Sequence, residues 1–343
     1  SADVGGVGRP RCWRWPDLHP FQKSVREAAP PRAQAVMHES HIEAVLDYRV
    51  TAPAHLLLNI EAAHGASQSI VSESLQVEPP VALHRYSDEN SGNRFVRFDA
   101  APGTLTIRYR ASVQRAPVSL PAELAEAPVN QVPDALMHYL MPTRYCESDV
   151  MARAAQQLFG DLPPGIGRVQ AIVDWIHDSL CYQPGSSDST TTAQEVFVAR
   201  AGVCRDFAHL GITFCRALNI PARLVVGYVW FDEPPQDFHA VFEAWIGGRW
   251  VLFDATRMAP VDRLVRVGTG RDAKDVAFCT IFGPVTMTKK EIVVREKQNA
   301  AMPSPRPPEP SGIVVGIEKP VPVAAGMSPV CEPPPVQTVP LSD

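Results

Sequence analysis

Cys204, His239 and Asp254 are the residues whose types, order and spacing could carry out nucleophilic catalysis. Cys204 sits in RAGVCRDFAHL, residues 200–210, between a glycine-containing turn and the predicted first turn of a helix. A thiol is a poor nucleophile until it loses its proton, and a helix N-terminus favours the thiolate through partial positive charge and free N–H groups. Ala201 and Gly202 leave the backbone room to turn tightly there. Taken alone, the stretch fits a small buried hydrophobe better than a nucleophile, because free cysteines are among the most buried side chains.

DFHAVFEAWIGGRWVLFDATR, residues 237–257, changes that balance. Two apolar, aromatic-rich runs flank Gly247 and Gly248, a pair suited to a primed two-residue hairpin turn. With Ile246 opposite Arg249, Val241 faces Asp254 and His239 faces Thr256. His239 and Asp254 are then diagonal neighbours on one face, roughly 7 Å apart at their β-carbons. A slip of one residue would put them on opposite faces. An imidazole oriented by a carboxylate is what a cysteine needs to become a thiolate and then to protonate a leaving amine. Singly, the two residues read as a satisfied strand histidine and a turn aspartate; their joint placement downstream of Cys204 points to a site.

A metal reading fares worse. His209, five residues past Cys204, lies about 140° round the helix and reads as structural. Cys204 and Cys215 share an azimuth but stand about 16 Å apart along the axis, too far for one zinc ion or for a disulfide.

The elements that must position these groups fall into blocks of different period. Residues 1–38 mix Pro, Gly and Arg without a period and read as a poorly ordered leader, with Met37 an alternative start. Residues 39–117 have a period of two, clearest in TLTIRYRASVQ, where Leu105, Ile107, Tyr109, Ala111 and Val113 alternate with polar residues. AVLDYRV, HLLLNIEA, SIVSESLQV and NRFVRFD are further strand candidates, giving a small antiparallel β-sandwich. In the block 118–298 the period becomes helical: Val169, Ile172, Val173, Ile176 and Leu180 form one apolar stripe. TAQE at 192–195 fits a capping box with Thr192 as N-cap, and a helix starting at Cys204 buries Phe207, Leu210, Phe214 and Leu218 before NIP at 219–221 stops it. ARLVVGYVW then reads as a buried strand. Residues 299–343 hold 12 of the 34 prolines and read as a disordered tail.

Composition narrows the function classes. Apolar content of 45% with 20% charged residues describes an ordinary globular protein among 343 residues, enough for about two domains. A net charge of -5 with no clustered Lys/Arg surface argues against nucleic acid as a partner. No run of about 18 apolar residues and no signal-peptide core is found, so the expectation is a cytoplasmic chain without a membrane partner. Seven dispersed cysteines without a C-x-x-C pair fit reduced thiols.

TAQEVFVARAGVCRDFAHLGITFCRALNIPARLVVGY followed by HAVFEAWIGGRWVLFDATR resembles the transglutaminase-like superfamily, in particular its bacterial members described as cysteine proteases. The likeness is strongest over residues 165–260; YLMPTRYCESD at 139–149 resembles their interdomain segment, and the strand-rich block their preceding β-sandwich. The resemblance implies an α+β fold with a papain-like core, a helix packed on an antiparallel sheet, and acyl-thioester chemistry at an amide of a peptide or protein substrate. It implies Cys204 as nucleophile, His239 as base and acid, and Asp254 as the group that fixes the imidazole. The Cys204 N–H is a natural oxyanion donor. Tyr182 lies where related enzymes carry an aromatic residue near the site, which implies a second donor; a core aromatic is the alternative. RAGVCRDF departs from the turn of arylamine N-acetyltransferases, and the upstream zinc pairs of peptide N-glycanases are missing. Hydrolysis is favoured over transamidation by the bacterial likeness alone, and a non-enzymatic scaffold would need an unreactive Cys204. No loop of spaced acidic residues for calcium is present, so no cofactor is expected; oligomeric state is left open.

Iodoacetamide at neutral pH should label Cys204 far faster than the other six thiols, and His239→Ala should remove that selectivity. Peptide mapping that finds all exposed thiols labelled at one rate would sink the assignment.

Overall fold

The structure, a computed structural model, describes residues 38–116, 121 and 123–297. The leader reading, except for His38, and the Pro-rich tail reading lie outside these residues.

The first strands follow the alternation of the sequence. In β1 (His38–Val50) and β6 (Gly103–Arg115) every second side chain turns inward; Leu46, Ile107 and Tyr109 are fully buried. Between them come β2 (Ala54–Leu58), β3 (Gln68–Glu78), β4 (His84–Ser87) and β5 (Arg94–Ala100). The expected strand segments overlap β1, β2, β3, β5 and β6, but HLLLNIEA runs four residues past the end of β2 at Leu58 and NRFVRFD starts one residue before β5. HRYS of β4 is exposed along its whole length, so no alternation announced it.

The sandwich is completed from the far end of the chain. β13 (Cys279–Phe282) pairs with β2, and β14 (Val285–Glu296) pairs with β1 over almost its whole length. The two facing sheets therefore run β14-β1-β6-β3 and β13-β2-β5-β4. This corrects the division at 118–298: residues 279–296 join the sandwich, because the long β1 edge needs a partner that the first six strands do not supply.

The second unit packs helices on an antiparallel sheet. α1 (Ala152–Phe159), α2 (Ile166–Ser179) and α3 (Ala193–Ala199) surround α4 (Cys204–Ala217). The sheet runs β11-β10-β9-β12, formed by β9 (Ala222–Tyr228), β10 (His239–Ile246), β11 (Arg249–Phe253) and β12 (Val265–Gly270). α4 is buried nearly all round, as an apolar helix enclosed on several sides must be. Phe214 meets Phe159, Trp175 and Phe197 edge-on on the helical side. Gly211 faces the sheet; a β-carbon there would lie 2.5 Å from the Phe242 ring, so its absence lets α4 lie close on β10. Buried Arg216 donates to the carbonyls of Met141, Ala222 and Arg271, tying the far end of α4 to the 139–149 segment and to the sheet.

The edge of β12 is closed by the sandwich rather than by another strand. Gln68 exchanges hydrogen bonds with the backbone of Arg266, and Asn93 does the same with Thr269. Each side-chain amide stands in for a strand residue, so the edge is satisfied.

Gly211→Ala gains about 1 kcal/mol in helix propensity. It should nevertheless lower stability by about 1–2 kcal/mol, because the Phe242 ring is held in its stack on Phe253 and cannot withdraw. Urea unfolding that shows a net gain would refute this close packing.

Candidate functional site

Cys204 is set in place by the turn before it. α3 begins with the expected capping box, the Thr192 N–H donating to Glu195 and the Glu195 N–H to Thr192 Oγ1, and it ends at Arg200, whose φ of 56° turns the chain. Ala201 and Gly202 form β8, which pairs in parallel with β7 (Cys181–Tyr182), so Tyr182 lies opposite Gly202. α4 starts at Cys204 as the sequence predicts. Its first turn is held by Asp206, fully buried, whose carboxylate accepts the Val203 N–H at 2.8 Å and the Ser187 hydroxyl, and pairs with Arg205. A β-carbon at Gly202 would come within 2.7 Å of the Asp206 β-carbon, so only glycine fits there.

The Cys204 Sγ is half-buried and lies 3.9 Å from the Phe238 carbonyl oxygen. The Tyr182 phenol adjoins both the backbone and the thiol of Cys204. Burial first, and then the neighbouring thiol, push the phenol well above the usual tyrosine range, so it keeps its proton as a donor. The Tyr182 ring packs on Phe207 of α4, 5.9 Å between centroids. It is therefore both a packing residue and a neighbour of the thiol.

His239 and Asp254 meet, by a route slightly different from the expected one. β10 and β11 pair in the expected register, Ile246 with Arg249, but the ladder ends at Phe242 and Phe253. The expected pairs Val241–Asp254 and His239–Thr256 do not form. Instead the chain leaves β11 in a turn closed by the Arg257 N–H on the Asp254 carbonyl, with Arg257 at a φ of 55°. His239 keeps its partner on the other side, Gly227 of β9. The turn brings Asp254 Oδ2 to 2.9 Å from His239 Nε2, while Oδ1 accepts the N–H and the hydroxyl of Thr256 at 2.8 and 2.7 Å. The imidazole is 2% exposed and the aspartate 8%.

Such burial would neutralise either group alone. Burial drives the His239 pKa down, but the charge and hydrogen bond of Asp254, and after them the neighbouring Cys204, raise it to about 10. Burial likewise works against the Asp254 carboxylate, and the His239 charge together with the Thr256 donors holds it below the usual range. With Nε2 on Asp254, Nδ1 is the nitrogen left for the thiol.

His209 stands apart. It is buried, stacks on Tyr145 and accepts the Ala273 N–H at Nε2; burial, then Arg205, push its pKa down to about 3. Among the described residues no group of three His, Cys, Asp or Glu side chains could hold a metal ion. Two residues escaped the sequence reading. Asp206 could have been found as an acidic residue at the third position of a helix, and Thr256 by its spacing of two from Asp254, a turn signature.

A β-sandwich joined to a helix-on-sheet core, with a thiol at the helix start facing a buried imidazole–carboxylate pair, defines a cysteine-based enzyme class. Comparison with known proteins gives the family. The description "Transglutaminase-like superfamily" matches residues 152–255, and "Bacterial transglutaminase, N-terminal domain" matches residues 39–133. A solved structure, described as a candidate cysteine protease from Cytophaga hutchinsonii, is 39% identical with a TM-score of 0.74, covering 78% of this chain and 94% of that one. An uncharacterized protein of Mycobacterium leprae is 28% identical over 225 residues, 61% of this chain and 79% of its own length. An uncharacterized protein of Mycobacterium tuberculosis is 34% identical over 143 residues, 38% of this chain and 46% of its own length. The chain belongs to the transglutaminase-like superfamily.

The buried pair has a pH signature. A histidine whose pKa is raised from 6.5 to about 10 on folding adds stability that is fully present below pH 6.5 and lost as the pH rises toward 10. Asp254, lowered from 3.8, adds stability that is present above that value and lost as the pH falls below it. The stability difference between wild type and Asp254→Asn should therefore be largest between about pH 4 and 6.5 and shrink above that window. Urea titrations showing a difference that grows from pH 6.5 to 9 would contradict the ionised pair.

Proposed function

We propose that the protein is a cysteine-dependent acyl-transfer enzyme acting on amide bonds of peptides or proteins, and that it releases the acyl group to water. The observation that carries this reading is the buried pair of His239 and Asp254, joined through Nε2, behind a thiol that stands at the start of α4 against the carbonyl of Phe238, the residue before His239.

In this reading the thiol proton already rests on His239, and the Cys204 sulfur attacks the amide carbon as a thiolate. The developing oxyanion lies at the start of α4, beside the Cys204 N–H and the Tyr182 hydroxyl, both able to donate to it. The C–N bond then breaks, the amine departs with the proton held by His239, and a thioester remains. Because the pairing with Asp254 keeps the imidazolium stable, the acid form is at hand at neutral pH. Water, deprotonated by His239, attacks the thioester and returns the thiol. Asp254 fixes the ring throughout and stays ionised. An amine in place of water would give transamidation from the same intermediate.

The test is capture of the acyl-enzyme from a library of peptides and glutamine donors, with and without an added primary amine. Mass spectrometry should find an adduct on Cys204 alone, whose breakdown yields free acid even with amine present. Amide product in excess of acid would make the enzyme a transglutaminase, and no adduct from any donor would favour a scaffold. Tyr182→Phe should lower the acylation rate about tenfold to a hundredfold, less than the loss of a backbone donor.

A further inference from the structure

The three residues of the site are complete at Asp254, yet the loop that delivers His239 is held by residues that come later. Because the ladder with β11 ends at Phe242, residues 239–241 have a strand partner only on the β9 side. A strand end paired on one side frays readily. Three contacts from the sandwich meet it where it would fray. The Val294 N–H, on the edge of β14 that no strand covers, donates to Gln236 Oε1 at 2.6 Å. The Lys290 ammonium pairs with Asp237. Phe238 stacks on Phe278 with 4.9 Å between centroids and 12° between planes, and Lys290 lies over the same Phe278 ring. Gln236, Asp237 and Phe238 are the three residues before His239, and the Phe238 carbonyl is the group that faces the Cys204 sulfur.

We infer that residues 278–294 act as a strap that positions the general base, with Lys290 a positioning residue that touches no substrate. The inference rests on the functional reading above. The strap anchors the three residues that lead into the half-paired strand start, and so holds in place the segment that carries His239 to the thiol. Lys290 is the member that can be changed without disturbing a core, since its side chain is 30% exposed.

The full-length chain with Lys290→Ala, Lys290→Arg, His239→Ala and the double variant Lys290→Ala/His239→Ala would be compared by two readouts. Hydrogen exchange reports the strap itself: Lys290→Ala should speed exchange at 236–240 about 1.5-fold to fivefold, the range one partly exposed ion pair can supply, with other peptides and Tm unchanged. Lys290→Arg should restore it. Iodoacetamide labelling reports the consequence: the rate at Cys204 should fall by a similar factor in Lys290→Ala, and the change should vanish in the His239→Ala background, because the lysine acts through the imidazole. Equal losses with and without His239, or faster exchange with unchanged labelling, would overturn the positioning role. A wild-type Cys204 no more reactive than the other thiols would remove the catalytic reading, and with it the positioning role, while exchange would still show whether the strap holds the loop.

Discussion

The pairing of His239 with Asp254 in a place that almost no solvent reaches is the constraint around which the molecule is arranged. Burial alone would discharge both groups, and each stays ionised only because the other does. Such a pair contributes little net stability compared with an apolar pair of the same shape, since desolvation offsets most of the attraction, but losing one partner strands the other at a cost of several kcal/mol. The fold therefore has to deliver both side chains with accurate geometry. It does so by ending the β10–β11 ladder early, closing a turn on the Asp254 carbonyl, and using both donors of Thr256 to fix the second carboxylate oxygen.

The thiol arrives by a separate route. Its position is set along α4, whose distance from the sheet depends on Gly211 against Phe242, and at the helix start by the Asp206 carboxylate beneath Gly202. Neither feature touches His239 or Asp254. Two independently anchored parts, a helix start and a strand start, meet at the Cys204 sulfur and the Phe238 carbonyl. Tyr182 is carried there by a third, the two-residue parallel pairing of β7 with β8. An arrangement of this kind tolerates little slack, which explains why glycines stand where any side chain would push α4 or its preceding turn away.

How much of this could be read from the sequence depends on how local the cause is. The Thr192 capping box, the helix start at Cys204 and the hairpin register across Gly247 and Gly248 rest on neighbours in the chain, and the structure has each as expected. The alternation in β1 and β6 was equally legible because one face is buried and the other wet. What the sequence hid were contacts made at a distance. β14 carries only two buried residues, Ile292 and Val294, among charged neighbours, so nothing in its own pattern assigns it to a sheet some 240 residues earlier. The early end of the β10–β11 ladder was hidden for a different reason. It follows from the turn at Asp254 to Arg257, and Arg257 in a left-handed conformation is not a residue from which such a turn would be forecast.

The return of the chain to the sandwich also changes what a domain means here. Tyr228, Val265 and Val267 belong to the β11-β10-β9-β12 sheet, yet they are buried in the same apolar cluster as Leu56, Ile107 and Tyr109. Tyr228 donates to the Ile60 carbonyl, and its ring stacks against Tyr109. The open edge of β12 is closed by Gln68 and Asn93. A linker between independent domains would leave such groups wet; here their hydrogen bonds are satisfied only when both units are present. The sandwich thus shares one core with the helix-on-sheet unit. Its last strands leave the helix-covered sheet only to lie beside the loop that precedes His239, so both units border that imidazole.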